Sequence, residues 1–126
     1  MKRTPLKRYT RLKSSVGLAS TSRLKPRSPK KAADDARYRR SKAEHLATHP
    51  QCMWAGCTKS KANGDLVDVH HKAGRNGPLL YCKRYFATLC RQHHNHVEEH
   101  LSWSRANGWI IDLTTEQVRQ IRLETQ

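Results

Sequence analysis

Cysteine, histidine and carboxylate side chains crowd the middle of this chain. Cys52 and Cys57 come first, in QCMWAGCTKS; His70-His71 follow in VDVHHKAGR; LCRQHHNHVEEH then holds Cys90, His93, His94, His96, Glu98 and His100. Six of the eight histidines fall between positions 70 and 100, a density that can hold two metal ions. A strongly basic chain built around metals points to phosphodiester chemistry.

The ligand types sort into two sets. Cys52-x4-Cys57 and Cys90-x2-His93 are two short knuckles, and four Cys/His ligands make the closed tetrahedral site of a structural zinc. The alternative is two pairs of free buried cysteines; Cys82 is left over as a buried thiol. The second set is His70, His71, His94 and Glu98. His94 and Glu98 are i and i+4 and share a helix face. Two histidines and one carboxylate (His70, His94, Glu98) can hold a catalytic divalent metal with positions left open. Magnesium or manganese suits it, and zinc or nickel is not excluded by the ligands. His71 points away from its neighbour along the strand and is free to act as a base. The alternative is a set of surface histidines on a solvated helix.

These residues need positioning elements. ADDARYRRSKAEHLATHP predicts a helix over 34–48, with Asp34 and Asp35 at its positive end and His49-Pro50 as its stop. Tyr38, Ala43 and Leu46 would face a core. In DLVDVHH, Val67 and Val69 alternate with Asp68 and His70, a half-buried strand. Residues 72–78 form a turn-rich loop, and 79–89 read as one or two short strands or an extended approach to a helix. That helix would run from Cys90 to about Ala106 and stop at Asn107-Gly108. Leu89, Val97, Leu101 and Ser104 would line its inner stripe, with Trp103 beside them. A last helix, about 115–124, is signposted by Thr114 and Gln117 as a capping box and by Leu113 and Val118 as a hydrophobic staple. Val118 and Ile121 would dock it.

With 126 residues, 36% hydrophobic and a single Phe, the chain predicts one small domain with a thin core that needs a staple. Residues 1–42 carry 15 Lys and Arg against Asp34 and Asp35, a net of +13 out of the +15 total. Residues 1–31 read as a disordered basic tail, and 32–126 as the domain, with its core at 45–110. Lys2, Arg3, Lys7, Arg8, Arg11 and Lys13 in the tail, with Lys72 and Arg75, are expected to meet nucleic-acid phosphates. A solubilising tail or a membrane-surface patch would explain the charge too, but the tail lacks amphipathic periodicity. No apolar segment suggests a signal peptide or a membrane span. The expected location is a reducing cytoplasm, where cysteines serve as ligands or thiols.

The strand ending in His70-His71, the Gly-containing loop to Arg75, and Leu89-Cys90-x2-His93-His94 opening a helix resemble the HNH endonucleases. The similarity spans about residues 45–110 and looks closest to small phage-type members, in which Asn107-Gly108 also has a counterpart. The basic tail is similar to that of phage recombination-enhancement, RecA-dependent nucleases. The resemblance implies an α+β, ββα-metal (His-Me finger) domain with flanking helices, and a metal-dependent endonuclease acting on DNA in a bacterial host cytoplasm. A recombinase filament on DNA is an implied partner. His71 takes the general-base position; His70 and His94 take metal-ligand positions, and Glu98 stands where a second ligand His is frequent. Tyr85 stands where a middle Asn is common, and His93 replaces the usual fourth Cys. Hydrolysis would leave 5′-phosphate and 3′-hydroxyl ends, with Arg75 as a phosphate clamp and His96 and His100 as reserve ligands or DNA contacts.

Two other classes stay open. A non-catalytic zinc-stapled DNA-binding module would need the metal to fold but not His71. A packaging protein would use the basic tail alone and leave His70, His71 and His94 unexplained.

Overall fold

The computed structural model describes residues 25–125. Lys2, Arg3, Lys7, Arg8, Arg11 and Lys13, and most of the expected tail, lie outside the described residues. The first helix, α1, spans Pro29–Thr48 and so begins before the expected position 34. Ser28 caps it by accepting the Lys31 N–H, and Pro29 occupies the first turn, where its missing N–H costs nothing. Residues 29–31 therefore belong to the folded unit. Asp34 and Asp35 lie past the first turn, and Asp35 pairs with Arg27 at 2.7 Å and Lys31 at 3.0 Å. The helix ends at His49, before Pro50, as expected.

Two strands follow, β1 (Val67–His71) and β2 (Phe86–Cys90), paired antiparallel from Val67↔Cys90 to His71↔Phe86. The segment between them is not strand-like. It makes two single-turn 3-10 helices, Gly77–Leu80 and Lys83–Tyr85. Pro78 fits the first turn of such a helix, and Leu79 and Leu80 are buried from it.

Because strand side chains alternate, the pairing gives the sheet two faces. Val69 and Phe86 meet Leu46 and Tyr38 of α1. On the opposite face Leu89 packs with Val97, which belongs to the next helix, and with Trp109 and Ile110. Ala87 is fully buried beside His70; its small side chain lets a helix lie close on that face. The sheet is therefore covered on both sides, where the sequence pattern suggested a half-buried strand. Ala43 is exposed, and Cys82 is partly exposed rather than buried.

The expected helix 90–106 is two helices, α2 (Arg91–Glu99) and α3 (Leu101–Ala106), broken at His100 (φ −115°, ψ 64°). The break changes the helical phase. Leu101 and Trp103 turn outward, at 49% and 41% exposed, while Ser104 is fully buried. Ser104 Oγ donates to the Val97 carbonyl at 2.8 Å, and its own carbonyl accepts from Trp109 and Ile110. Gly108 (φ 74°) makes the turn that follows. The last helix, α4, spans Thr115–Glu124 with the capping box intact: Gln117 N–H to Thr114 Oγ1, and Thr114 N–H to Gln117 Oε1. Ile121 is buried from it, and α4 packs on the Gly77–Leu80 turn.

Candidate metal centre and histidine site

The Cys90 end of the sheet carries the first site. Cys52 N–H bonds to the Lys59 carbonyl and Cys57 N–H to the Trp54 carbonyl, so the 52–57 loop folds back on itself. Gly56 (φ 77°) permits that turn. Cys90 ends β2 and His93 sits in the first turn of α2. The ligand atoms of Cys52, Cys57, Cys90 and His93 all lie within 4.8 Å of one another. His93 Nδ1 is 3.6 Å from Cys52 Sγ and 3.2 Å from Cys90 Sγ. With zinc bonds of about 2.3 Å to sulfur and about 2.0 Å to nitrogen, tetrahedral geometry puts S and N about 3.5 Å apart. The cluster fits a metal ion such as zinc. The Cys90 N–H points at Cys52 Sγ, 3.3 Å away, which favours a thiolate there. Burial pushes the Cys52 thiol up. Burial also acts on Cys90, but the His93 N–H and the neighbouring thiols outweigh it and leave Cys90 below the usual thiol range. Trp54 lies flat on the His93 ring (4.5 Å, 2°) and beside Trp109 (5.6 Å). This aromatic cover was not legible in the Cys/His spacing, although Trp54 stands between the two cysteines.

The other end of β1 carries the histidine pair. His70 and His71 are 6% and 7% exposed and turn to opposite faces, as the strand alternation required. His70 meets His94 edge to face, with ring centroids 5.2 Å apart. Its Nε2 lies 2.9 Å from the Trp109 carbonyl, so that nitrogen carries the proton and Nδ1 keeps the lone pair. His71 packs on Phe86 (4.9 Å) and Tyr38 (5.3 Å). Its Nε2 donates to the Leu80 carbonyl at 3.1 Å, and its Nδ1 is buried without a partner.

Burial holds the His71 pKa down at about 4; the Leu80 bond opposes this and the Arg75 guanidinium adds to it. His70 is also lowered, by burial first, with the Trp109 bond opposing. Both rings are neutral at pH 7.

Glu98 is exposed, and its Oε1 stands 3.5 Å from the buried His94 Nδ1. His70, His94 and Glu98 are donor types that a divalent ion accepts. Their ligand atoms do not close to the 4.8 Å that groups the Cys/His cluster, the one such group among the described residues. Arg75 is exposed on the loop after β1. Lys72 lies over the Trp109 ring at 5.4 Å. His96 and His100 stack on each other at 4.2 Å, and His96 meets Trp103 and the Trp54 ring that covers His93 edge to face. Tyr85 gives its carbonyl to the Lys72 N–H, so backbone braces the loop at that point.

Searches against protein-family models, curated proteins and solved structures find no match. Among the described residues, no helix is long and apolar enough to cross a membrane.

Proposed function

We propose that this chain is a metal-dependent endonuclease of the HNH type, a ββα-metal domain that hydrolyses DNA phosphodiester bonds and is stapled by a structural zinc on Cys52, Cys57, Cys90 and His93. The observation that carries the reading is the pair of adjacent histidines, each held through Nε2 by a backbone carbonyl. That arrangement leaves two Nδ1 lone pairs at the end of one strand, on rings that turn to opposite faces, the His70 ring packed on His94. The element order β1, β2, α2 supports it further.

In this reading His70, His94 and Glu98 hold a divalent metal, magnesium or manganese by preference. When bound, it supplies charge stabilisation at the phosphate and the leaving 3′-oxygen. His71 Nδ1 takes the proton from the attacking water, while the Leu80 carbonyl keeps the ring in the tautomer that can accept it. Arg75 clamps the phosphate. Water attacks phosphorus in line, and the products carry a 5′-phosphate and a 3′-hydroxyl. The basic tail and Lys72 hold the DNA backbone; a recombinase filament on the DNA and a phage origin belong to the same proposal.

The burial of His71, with Nδ1 closed off from solvent, favours a second reading: a zinc-stapled DNA-binding module without catalysis. Cleavage of supercoiled plasmid by wild type and His71→Ala, with magnesium, manganese or no added metal, separates the two. Metal-dependent nicking that the variant loses, with folding and zinc content unchanged, supports the nuclease. Equal cutting by both, or none by either on plasmid, branched and single-stranded DNA, sinks it.

A further inference from the structure

Helix α1, the Gly77–Leu80 turn and α4 border an open cavity of about 310 Å³, lined by Lys30, Asp34, Arg37, Gly77, Tyr81 and Arg122 among others. Two cations of α1 and one of α4 thus meet one acid. Some described cations are matched, Lys42 and Arg91 to Asp68, Lys83 to Glu44, Arg84 to Glu124 and Arg105 to Asp112, while others, Arg39, Arg75 and Arg119 among them, stand singly rather than around a shared cavity. Among the described residues, Lys30, Arg37 and Arg122 have no carboxylate within 4 Å. Like charges gathered around one cavity repel, and a bound anion offsets that cost. Arg37 is also braced. Arg37 Nη1 donates to the Tyr81 hydroxyl at 3.5 Å, and its guanidinium lies over the Tyr81 ring. Arg122 Nη2 lies 3.7 Å from where a Cβ on Gly77 would stand, at a backbone φ of 55° that disfavours any side chain.

We propose that this cavity binds a backbone phosphate of the nucleic acid, away from the phosphate at His71. The inference rests on the nucleic-acid reading above. Two guanidinium forks match phosphate oxygens, Lys30 adds a point charge, and the Tyr81 hydroxyl adds a donor. The walls are continuous with the support of His71. Tyr81 follows Leu80, whose carbonyl holds the His71 ring, and Arg37 precedes Tyr38, whose ring packs on it. A phosphate held here fixes the strand relative to His71.

The test uses the full, zinc-loaded chain and labelled duplex DNA, with no other divalent metal, titrated across NaCl concentrations. Arg37→Gln/Arg122→Gln is compared with Arg39→Gln/Arg119→Gln, a pair of equal charge change outside the cavity; circular dichroism and zinc content check each fold. One phosphate contact contributes about 0.9 to the slope of log K against log salt. The cavity pair is expected to lower the slope by about 1 and weaken binding several-fold, with a smaller change from the control pair. Equal slopes for both pairs overturn the cavity assignment and leave the nucleic-acid reading standing. A wild type that binds here but cuts no DNA when magnesium or manganese is added removes the nuclease and keeps the cavity. A wild type that does not bind DNA overturns both. Inorganic phosphate titrated by isothermal calorimetry closes the test: uptake lost in the cavity pair while the DNA slope is unchanged assigns the site to a free phosphate and overturns the strand assignment.

Discussion

The two ends of the small sheet solve the problem of gathering ligands differently. At the Cys90 end, four ligand atoms lie within 4.8 Å of one another, supplied by two knuckles whose members are five and three residues apart. At the His71 end, His70, His94 and Glu98 come from a strand and a helix, and the Trp109 and Leu80 carbonyls orient His70 and His71 respectively. The first end is closed by local chain geometry; the second is held by tertiary packing. The comparison teaches that a metal can supply the stability of a lean domain at one end and leave the other end free to keep buried, neutral imidazoles.

Removing the metal tests the first half of this contrast most severely. Structural zinc contributes about 10 kcal/mol or more of apparent folding free energy in small domains. Cys90→Ser, or a strong chelator, is expected to abolish cooperative unfolding and amide-proton dispersion. His71→Ala should keep both. A Cys90→Ser chain that still melts cooperatively without zinc would show that the core alone suffices. At the other end the expected loss is chemical. If His71 is the base, His71→Ala lowers plasmid cleavage by about 10²–10⁴-fold at unchanged zinc content, measured under single-turnover conditions.

Ser104 separates the two ends more finely. Its hydroxyl satisfies the Val97 carbonyl, and its carbonyl holds the backbone of Trp109, whose own carbonyl orients His70. Ser104→Ala leaves a buried carbonyl unpaired and is expected to cost about 1–3 kcal/mol, read from urea unfolding of the zinc-loaded protein. The His70 imidazole resonances should shift while the cysteine site keeps its zinc. Loss of zinc in that variant would show that the two ends are not separable.

What could be read in the sequence follows the same division. The Cys/His cluster and the capping box of α4 are local patterns, with their partners three to five residues apart, so residue type and spacing located them. The opposite faces of His70 and His71 followed from strand alternation. The start of α1 lies earlier than the acids at 34–35 suggest, because the capping geometry of Ser28-Pro29 decides it. The break at His100 was not legible, since it is stabilised by the Ser104 bond across it. The acceptors for His70 and His71 are backbone carbonyls, which any residue carries, so no side-chain pattern marks them. The cavity around Arg37 and Arg122 joins positions 85 residues apart and has no linear signature.

Acid distinguishes the ends by a smaller effect, carried by a residue outside both ligand sets. His45 is 6% exposed, stacks on His49 at 4.9 Å and meets Phe86 edge to face at the His71 end of the sheet. Its Nε2 is buried without a partner. Burial lowers its pKa below 6.5, and the charges of His49 and Lys83 lower it further; Glu44 beside it is held by Lys83. The unfolded chain therefore takes up a proton near pH 6.5 that the folded chain refuses. The stability linked to His45 is fully present above pH 6.5 and is lost as pH falls through the lowered folded value. His45→Leu removes that proton and the orphaned nitrogen together. With zinc saturating, thermal unfolding of the variant is expected to fall less steeply than wild type between pH 7 and pH 5. Zinc-ligand protonation acts on both proteins and cancels in the difference. Parallel slopes would mean that His45 does not carry the acid sensitivity, which would then rest with His70 and His71 or with the cysteine end.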